Sequence, residues 1–113
     1  MKFVKHFACC NALVVLLGVA HAAEMPKDII GDWCFVSRDK YRQCKHPEFV
    51  IKRKSTASEH SQCEITDVRK SGDSWIVKKR CQDISPESGN PVSAETRDEI
   101  FHYTRKGVYL YVK

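Results

Sequence analysis

The chain has 113 residues, six cysteines and a formal net charge of +5 with neutral histidines. Basic and acidic residues are interspersed along it, which is typical of an ordinary soluble surface, so we expect no nucleic-acid partner. A chain of this length forms one small domain and leaves little room for a substrate cleft.

The first residues have the pattern of an export signal. Two lysines precede a mostly apolar run over residues 7–19, and Ala20 and Ala22 are the small residues that a signal peptidase reads. The alternative, a retained anchor helix, needs a longer apolar run. We predict a signal peptide over 1–22, one domain over 23–113, a periplasmic or secreted location, and no stable membrane insertion after processing.

The remainder of the chain has the alternation of β-strands, and no segment has a convincing helical period. Six strand-like segments follow one another, at residues 29–36, 49–51, 63–69, 74–81, 95–103 and 108–112. Residues 55–61 are polar and residues 83–93 contain glycine and proline, so both are predicted as loops. The predicted fold class is all-β, a small antiparallel meander or barrel of about six strands.

Four cysteines lie beyond the predicted signal, at Cys34, Cys44, Cys63 and Cys81. An even number of cysteines in a short exported domain predicts two disulfides formed in an oxidising compartment. The alternative is a zinc site with four thiolates. Such a site usually has cysteines spaced two to four residues apart, a spacing that these four do not have.

The hairpin between the third and fourth segments predicts one of the two bridges. If the hairpin is centred on Gly72, Cys63 and Cys81 face each other on one side of the sheet, close enough to bridge. Cys34 and Cys44 then pair by elimination. The two other ways of pairing four cysteines stay open, because sequence alone does not fix connectivity.

The same register places two charged residues on the apolar face of the hairpin. Lys79 lies opposite Ile65, and Asp67 lies opposite Val77. One interpretation is a polar group inside a barrel or cleft. We favour the other, in which Lys79 extends its ammonium group to water at the end of the sheet. A β-bulge that turns one of the two residues outward is a further alternative.

The hairpin register also places Arg69 opposite Trp75. A guanidinium group over an indole ring forms a cation–π pair, which often does no more than cover the ring. We therefore expect a structural role for Trp75.

The candidate catalytic and metal-binding residues are scattered. His46, His60 and His102 lie in separate predicted loops and strands, and no serine lies in a Gly-x-Ser-x-Gly elbow. Glu95 and Glu99 share one strand face, but paired carboxylates hydrolyse glycosides only within a substrate cleft. We predict no enzymatic activity, no metal site and no cofactor.

Aromatic residues near the C-terminus form the candidate binding surface. Tyr109 and Tyr111 alternate with Leu110, so they point outward if Leu110 lies in the core. Together with Tyr103 and Arg105 they give a composition that is common at protein-binding surfaces. The alternative is that both faces of the last strand are covered.

Gly31-Asp32-Trp33, at the start of the first segment, resembles the Gly-x-Trp signature of the calycin-type barrels, the lipocalins and avidins. In those barrels the tryptophan plugs one end, often under an arginine from the last strands. The resemblance implies structural roles for Gly31 and Trp33, with Arg105 as the candidate partner of the tryptophan.

The layout of the chain also resembles a set of short exported proteins from alphaproteobacteria. They share Gly-x-Trp-Cys, found here at residues 31–34, a second cysteine after a charged stretch, a third that begins one strand and a fourth that ends the next. The match covers most of residues 29–112. It implies the fold and the compartment and no particular activity.

These observations predict a non-catalytic binding protein that acts at the cell envelope, with an envelope protein or a small ligand as its partner. One alternative is a periplasmic inhibitor of lysozyme or of a protease, because the turn at residues 103–107 resembles a motif of the lysozyme inhibitors. Another is a calycin-like barrel that binds a small ligand and therefore needs an interior cavity.

Overall fold

Eight strands form the barrel of this protein. The computed structural model describes residues 23–113, and the signal peptide predicted over 1–22 lies outside the described residues. A 3₁₀ turn at Lys27–Ile29 precedes the first strand. The strands are β1 (Gly31–Ser37), β2 (Lys40–Gln43), β3 (Phe49–Ile51), β4 (Ser55–Ser58), β5 (Ser61–Ser71), β6 (Ser74–Asp83), β7 (Arg97–Lys106) and β8 (Tyr109–Val112). No helix within residues 23–113 is long and apolar enough to cross a membrane.

All neighbouring strands are antiparallel, and the sheet closes in the order β1-β2-β8-β7-β6-β5-β4-β3. The strands from β3 to β8 form a meander, whereas β2 and β3 lie on opposite sides of β1. Closure gives each of the eight described strands a neighbour on both sides. The predicted all-β class and the two disulfides are confirmed, and the number of strands is corrected from about six to eight.

The two strands that the sequence pattern misses are β2 and β4. Both are only four residues long and polar, with the sequences KYRQ and STAS. The residues that these strands turn inward are Tyr41, which packs against the core, and Thr56, which is buried. Both carry a hydroxyl group, so neither strand shows an alternation of apolar and polar residues. Hydrogen bonds to strands on both sides define them instead. Of the loop predicted over 55–61, residues 55–58 form β4 and only 59–60 lie between two strands.

The Cys34–Cys44 bridge, which is confirmed, lies where the chain leaves β2 for β3. The backbone N–H of Cys44 donates to Asp32 at 3.2 Å, and that of Glu48 donates to Trp33 at 3.0 Å. The Glu48 carboxylate accepts a hydrogen bond from the backbone N–H of Phe35 at 2.8 Å. The bridge and these bonds hold the crossing connection against β1.

The Cys63–Cys81 bridge is also confirmed, although the register that predicted it is only partly right. Near the turn the pairing is centred between Gly72 and Asp73, rather than on Gly72 itself. A β-bulge at Thr66 then shifts the register by one residue. Because the two deviations cancel, Cys63 and Cys81 face each other as predicted.

The bulge separates the two charged residues that were expected to share the apolar face. Lys79 keeps its place opposite Ile65, but Asp67 lies opposite Lys78 and not opposite Val77. The alternative in which a bulge turns one of the two outward is therefore the right one for Asp67.

The predicted partner of Trp75 is wrong because the turn is centred between Gly72 and Asp73 rather than on Gly72. Arg69 lies opposite Ile76, and its Nε is 3.6 Å from the Asp67 carboxylate. Lys70 lies opposite Trp75 instead, with its ammonium nitrogen 4.4 Å from the ring centroid. The indole ring is covered by a cation, as expected, but by a different one.

Trp33 closes one end of the barrel. It is fully buried, and its indole N–H donates to the carbonyl of Ile29 at 3.1 Å. The guanidinium carbon of Arg105 lies 5.5 Å from the indole centroid. Arg105 also donates to the backbone oxygens of Asp28 at 2.6 Å and Gly107 at 3.0 Å. The contact implied for Arg105 is thus present, while the family resemblance itself stays a prediction.

Gly31 is required by the backbone at this end. Its φ is +156°, and a Cβ atom there would lie 3.3 Å from the Gln43 side-chain amide and 3.7 Å from the Trp33 indole nitrogen. An L-residue would have to adopt a rare conformation and displace a neighbour. The glycine therefore lets the chain enter the barrel directly beside the tryptophan.

We expect Arg105→Ala to lower the free energy of unfolding by about 2 kcal/mol, because it removes two hydrogen bonds to backbone oxygens and uncovers Trp33. Urea denaturation followed by tryptophan fluorescence measures the change. The matched control is Arg80→Ala, since Arg80 is exposed and forms a surface ion pair with Asp98 at 3.2 Å. The control should cost no more than about 0.5 kcal/mol. Equal losses in the two variants would contradict the role given to Arg105.

Candidate functional site

The barrel interior divides into an apolar end and a polar, aromatic end. Around Trp33 the interior is filled by Ile29, Ile51, Val77 and Leu110, which are 0–1% exposed. The other end holds an open pocket of about 280 Å³. The pocket is lined by Tyr41, Phe49, Thr56, Ser58, Ser61, Cys63, Lys79, Arg97, Glu99, Phe101 and Val112.

Lys79 lies in the wall of this pocket and is only 2% exposed. On β6 it is in phase with Val77 and Cys81, which are fully buried, whereas Lys78 and Arg80 point outward. The expectation that Lys79 extends to water is therefore wrong, and the other interpretation, a polar group inside a barrel, is correct. The reason is closure, since the inner face of β6 is covered by the opposite wall.

The Lys79 ammonium group donates two hydrogen bonds inside the barrel. One goes to the Thr56 hydroxyl of β4 at 3.0 Å, and the other to the Tyr103 hydroxyl of β7 at 2.6 Å. Both acceptors are neutral. An ammonium group has three N–H donors, so these two bonds leave one donor for another acceptor.

Aromatic rings surround the same ammonium group. Its nitrogen lies 4.4 Å from the ring centroid of Phe101, 5.3 Å from that of Tyr103 and 5.4 Å from that of Phe49. Phe49 is stacked on Tyr103 at 6.3 Å and contacts Tyr41 at 5.7 Å. The ring faces carry negative charge density and attract a cation, so they offset part of the lost hydration.

Burial shifts the pKa of Lys79 and that of its hydrogen-bond partner Tyr103. Desolvation lowers the pKa of Lys79 from 10.5 to about 8, partly opposed by the negative charge of Glu99 on the facing position of β7. Desolvation also raises the pKa of Tyr103 far above its ordinary value, so its hydroxyl stays neutral. The Glu99 carboxylate itself binds the Arg97 guanidinium, which also pairs with Asp83 at 3.0 Å.

The surface predicted from the C-terminal aromatic residues is not assembled. Tyr103 is fully buried in the barrel interior, so its assignment to an external surface is wrong; it is in phase with Phe101 and Arg105 on the inner face of β7. Arg105 is bound at the closed end. Tyr109 and Tyr111 are half-buried, and the Lys40 ammonium nitrogen lies 4.7 Å from the Tyr109 ring centroid.

The histidines and the acidic pair do not form a site either. His46, His60 and His102 are exposed and lie on different elements. Glu95 precedes β7 and is exposed, whereas Glu99 lines the pocket, so the two carboxylates do not share a strand face. Within residues 23–113, no three His, Cys, Asp or Glu side chains are grouped closely enough to hold a metal ion.

Several pocket residues have no role in the sequence-based prediction. Phe49 and Phe101 appear there only as members of strands, and Thr56 appears in a loop. The available signal is the phase of Lys79, which falls on the same strand face as Val77 and Cys81. In a closed barrel the face with Val77 and Cys81 is the inner one, so the same phase places Lys79 in the interior.

Comparison with known proteins gives no further assignment. No family model, no curated protein and no solved structure matches this chain. Function is therefore inferred from the geometry of the pocket.

The lowered pKa of Lys79 makes stability depend on pH. Its pKa is about 8 in the fold and has an ordinary value of 10.5. Between these values the unfolded chain binds more protons than the folded one, so stability rises with pH. We expect the contribution of Lys79 to the free energy of unfolding to rise by about 3 kcal/mol across this window. Urea denaturation at a series of pH values measures it.

Two variants isolate this effect from the titration of surface groups. Lys79→Met removes the buried amine and should abolish the rise. Lys78→Met removes the exposed neighbouring lysine and should preserve it. The same dependence on pH in Lys79→Met and in the wild type would contradict the assignment to Lys79.

Proposed function

We propose that the protein is an exported, non-catalytic binding protein that holds a small organic anion in the open end of its barrel. The observation that carries this proposal is the Lys79 ammonium group, which is buried at the pocket and donates its two hydrogen bonds to neutral hydroxyls. An anionic ligand would supply the compensating charge that these hydroxyls lack.

The buried positive charge of Lys79 favours the binding of an anion over that of a neutral ligand. A buried cation costs free energy unless it is paired and hydrogen-bonded. In this pocket the third N–H of Lys79 is the natural donor to a ligand oxygen. A carboxylate placed there would form a charge-assisted hydrogen bond, which is stronger than a bond between neutral groups.

The walls of the pocket set the size and shape of the rest of the ligand. Phe49, Phe101 and Tyr41 present ring surfaces on which a flat apolar group can pack. The volume of about 280 Å³ lies just below the range of about 300–1,000 Å³ that is usual for small-molecule sites. These features fit a ligand of about one ring with a short acidic side chain.

The charges at the mouth favour a single negative charge. The Glu99 side chain is 26% exposed and lines the pocket, opposite Lys79 across β6 and β7. A second anionic group on the ligand would lie near this carboxylate and be repelled by it. The Arg97 guanidinium cannot offset that repulsion fully, because it is shared between Glu99 and Asp83.

The two disulfides support the exported part of the proposal. Such bridges persist in oxidising compartments and are rare in the cytosol of mesophiles. Together with the export signal predicted over 1–22, they favour the periplasm or the extracellular medium. A location in the periplasm would place its action at the cell envelope.

A macromolecular partner, including a lysozyme or a protease, has less support. Of the four residues predicted for that surface, Tyr103 is buried and Arg105 is bound to Trp33 and to backbone oxygens. Tyr111 borders an outer groove with His102 and Thr104, but none of the residues that line this groove is buried. The groove lacks a desolvated anchor of the kind that Lys79 provides.

Benzoate and its neutral analogue benzamide test the proposal by isothermal titration calorimetry. We expect benzoate to bind at least about tenfold more tightly, because only the carboxylate pairs with the Lys79 ammonium group. Its affinity should fall as the pH rises above about 8, where Lys79 loses its proton. Lys79→Met should remove the preference for benzoate, and Lys78→Met should keep it. Equal affinities for the two probes, or no binding of either, would contradict the proposal.

A further inference from the structure

Lys79 has the surroundings of an amine that reacts with carbonyl compounds. Its side chain reaches the pocket, its ammonium group contacts two hydroxyls, and aromatic rings surround it. We propose that Lys79 captures small aldehydes reversibly as an imine, an inference that rests on the proposed ligand pocket and names a reactive class of ligand for it.

A nucleophilic amine must first be free of its proton. Because burial lowers the pKa of Lys79 to about 8, roughly a tenth of its molecules are unprotonated at neutral pH. For a lysine with the ordinary pKa of 10.5 the fraction is about 300-fold smaller. The exposed neighbour Lys78, on the same strand, is the residue with which the reactivity of Lys79 is compared.

Tyr103 and Thr56 are placed to form hydrogen bonds with the reacting groups. Their hydroxyl oxygens lie 2.6 Å and 3.0 Å from the Lys79 nitrogen. Burial raises the pKa of Tyr103, so its hydroxyl keeps its proton and can donate a hydrogen bond to an oxygen bonded to the carbon under attack. Glu99, on the facing position of β7, also lines the pocket.

The proposed step balances without an oxidant or a reductant. The nitrogen lone pair attacks the carbonyl carbon, the carbonyl π pair moves to oxygen, and one proton passes from the nitrogen to that oxygen to give a neutral carbinolamine. The carbinolamine hydroxyl then takes a second proton and leaves as water while the nitrogen lone pair forms the carbon–nitrogen double bond, and the iminium nitrogen releases its remaining proton to solvent. One aldehyde and one amine thus give one imine and one water molecule.

The pocket walls also favour survival of the imine. Its hydrolysis requires a water molecule at the imine carbon, and the rings of Phe49 and Phe101 occupy the space beside the nitrogen. An imine on an exposed residue such as Lys78 is open to water. Selectivity for Lys79 is therefore expected both in formation and in persistence.

Benzaldehyde with sodium cyanoborohydride provides the test, because the hydride reduces the imine to a stable benzyl amine. The protein is treated with limiting aldehyde at neutral pH, and the modified lysines are identified by peptide mass mapping. We expect Lys79 to be modified at least about tenfold faster than Lys78, given its larger fraction of free amine. Excess benzoate should slow the modification of Lys79 only.

Three variants complete the experiment. Lys79→Met should remove the fast modification, and Lys78→Met should retain it. Tyr103→Phe keeps the lysine but lacks the hydroxyl group, so the modification of Lys79 should slow about tenfold or more. Modification of Lys79 no faster than that of Lys78 overturns imine capture, and a Tyr103→Phe protein that reacts at the wild-type rate overturns the role given to Tyr103.

The result separates this inference from the proposed function. If benzoate binds through Lys79 but the aldehyde does not modify that residue selectively, imine capture is wrong and anion binding stands. If neither probe reaches Lys79, both proposals are wrong.

Discussion

A buried ammonium group is the constraint on which the interior of this barrel depends. Lys79 loses most of its hydration, and two hydroxyls and three aromatic rings replace that hydration only in part. Its pKa falls because the neutral amine is easier to bury than the cation. A barrel that served stability alone would gain by replacing this lysine with an apolar residue. Its presence supports the proposed binding of an anionic ligand.

The other parts of the fold keep this group in place. Trp33 and Arg105 close the far end, so aliphatic packing stabilises one half of the barrel while the other half stays open. The Cys63–Cys81 bridge joins β5 to β6 beside the pocket. Small domains have little core, and bridges of this kind supply stability that an open pocket would otherwise remove.

The sequence predicts the features that have a local pattern, such as the disulfides and the longer strands. It does not predict the features that depend on closure of the barrel. Both bridges were predicted, although Cys63 and Cys81 face each other because a bulge cancels an error in the position of the turn. The polar strands β2 and β4 carry no apolar alternation, so they were not predicted. The sequence pattern predicts which face of β6 carries Lys79, but not whether that face is exposed to solvent. The opposite wall of the barrel covers the face, and for this reason the prediction of a solvent-exposed ammonium group is wrong. The prediction for Tyr103 is wrong for a related reason. The predicted binding surface needs Tyr103 on the outer face of its strand, whereas the residue lies on the inner face.

The pKa of Lys79, measured by NMR from the chemical shift of its Cε as a function of pH, tests this account most directly. Lys78 serves as the reference within the same protein, because it is exposed on the same strand. A pKa of about 8 for Lys79 supports a buried amine that is available both to an anion and to a carbonyl carbon. A pKa near the ordinary 10.5 contradicts the account, because it shows that the ammonium group is hydrated or paired with a carboxylate.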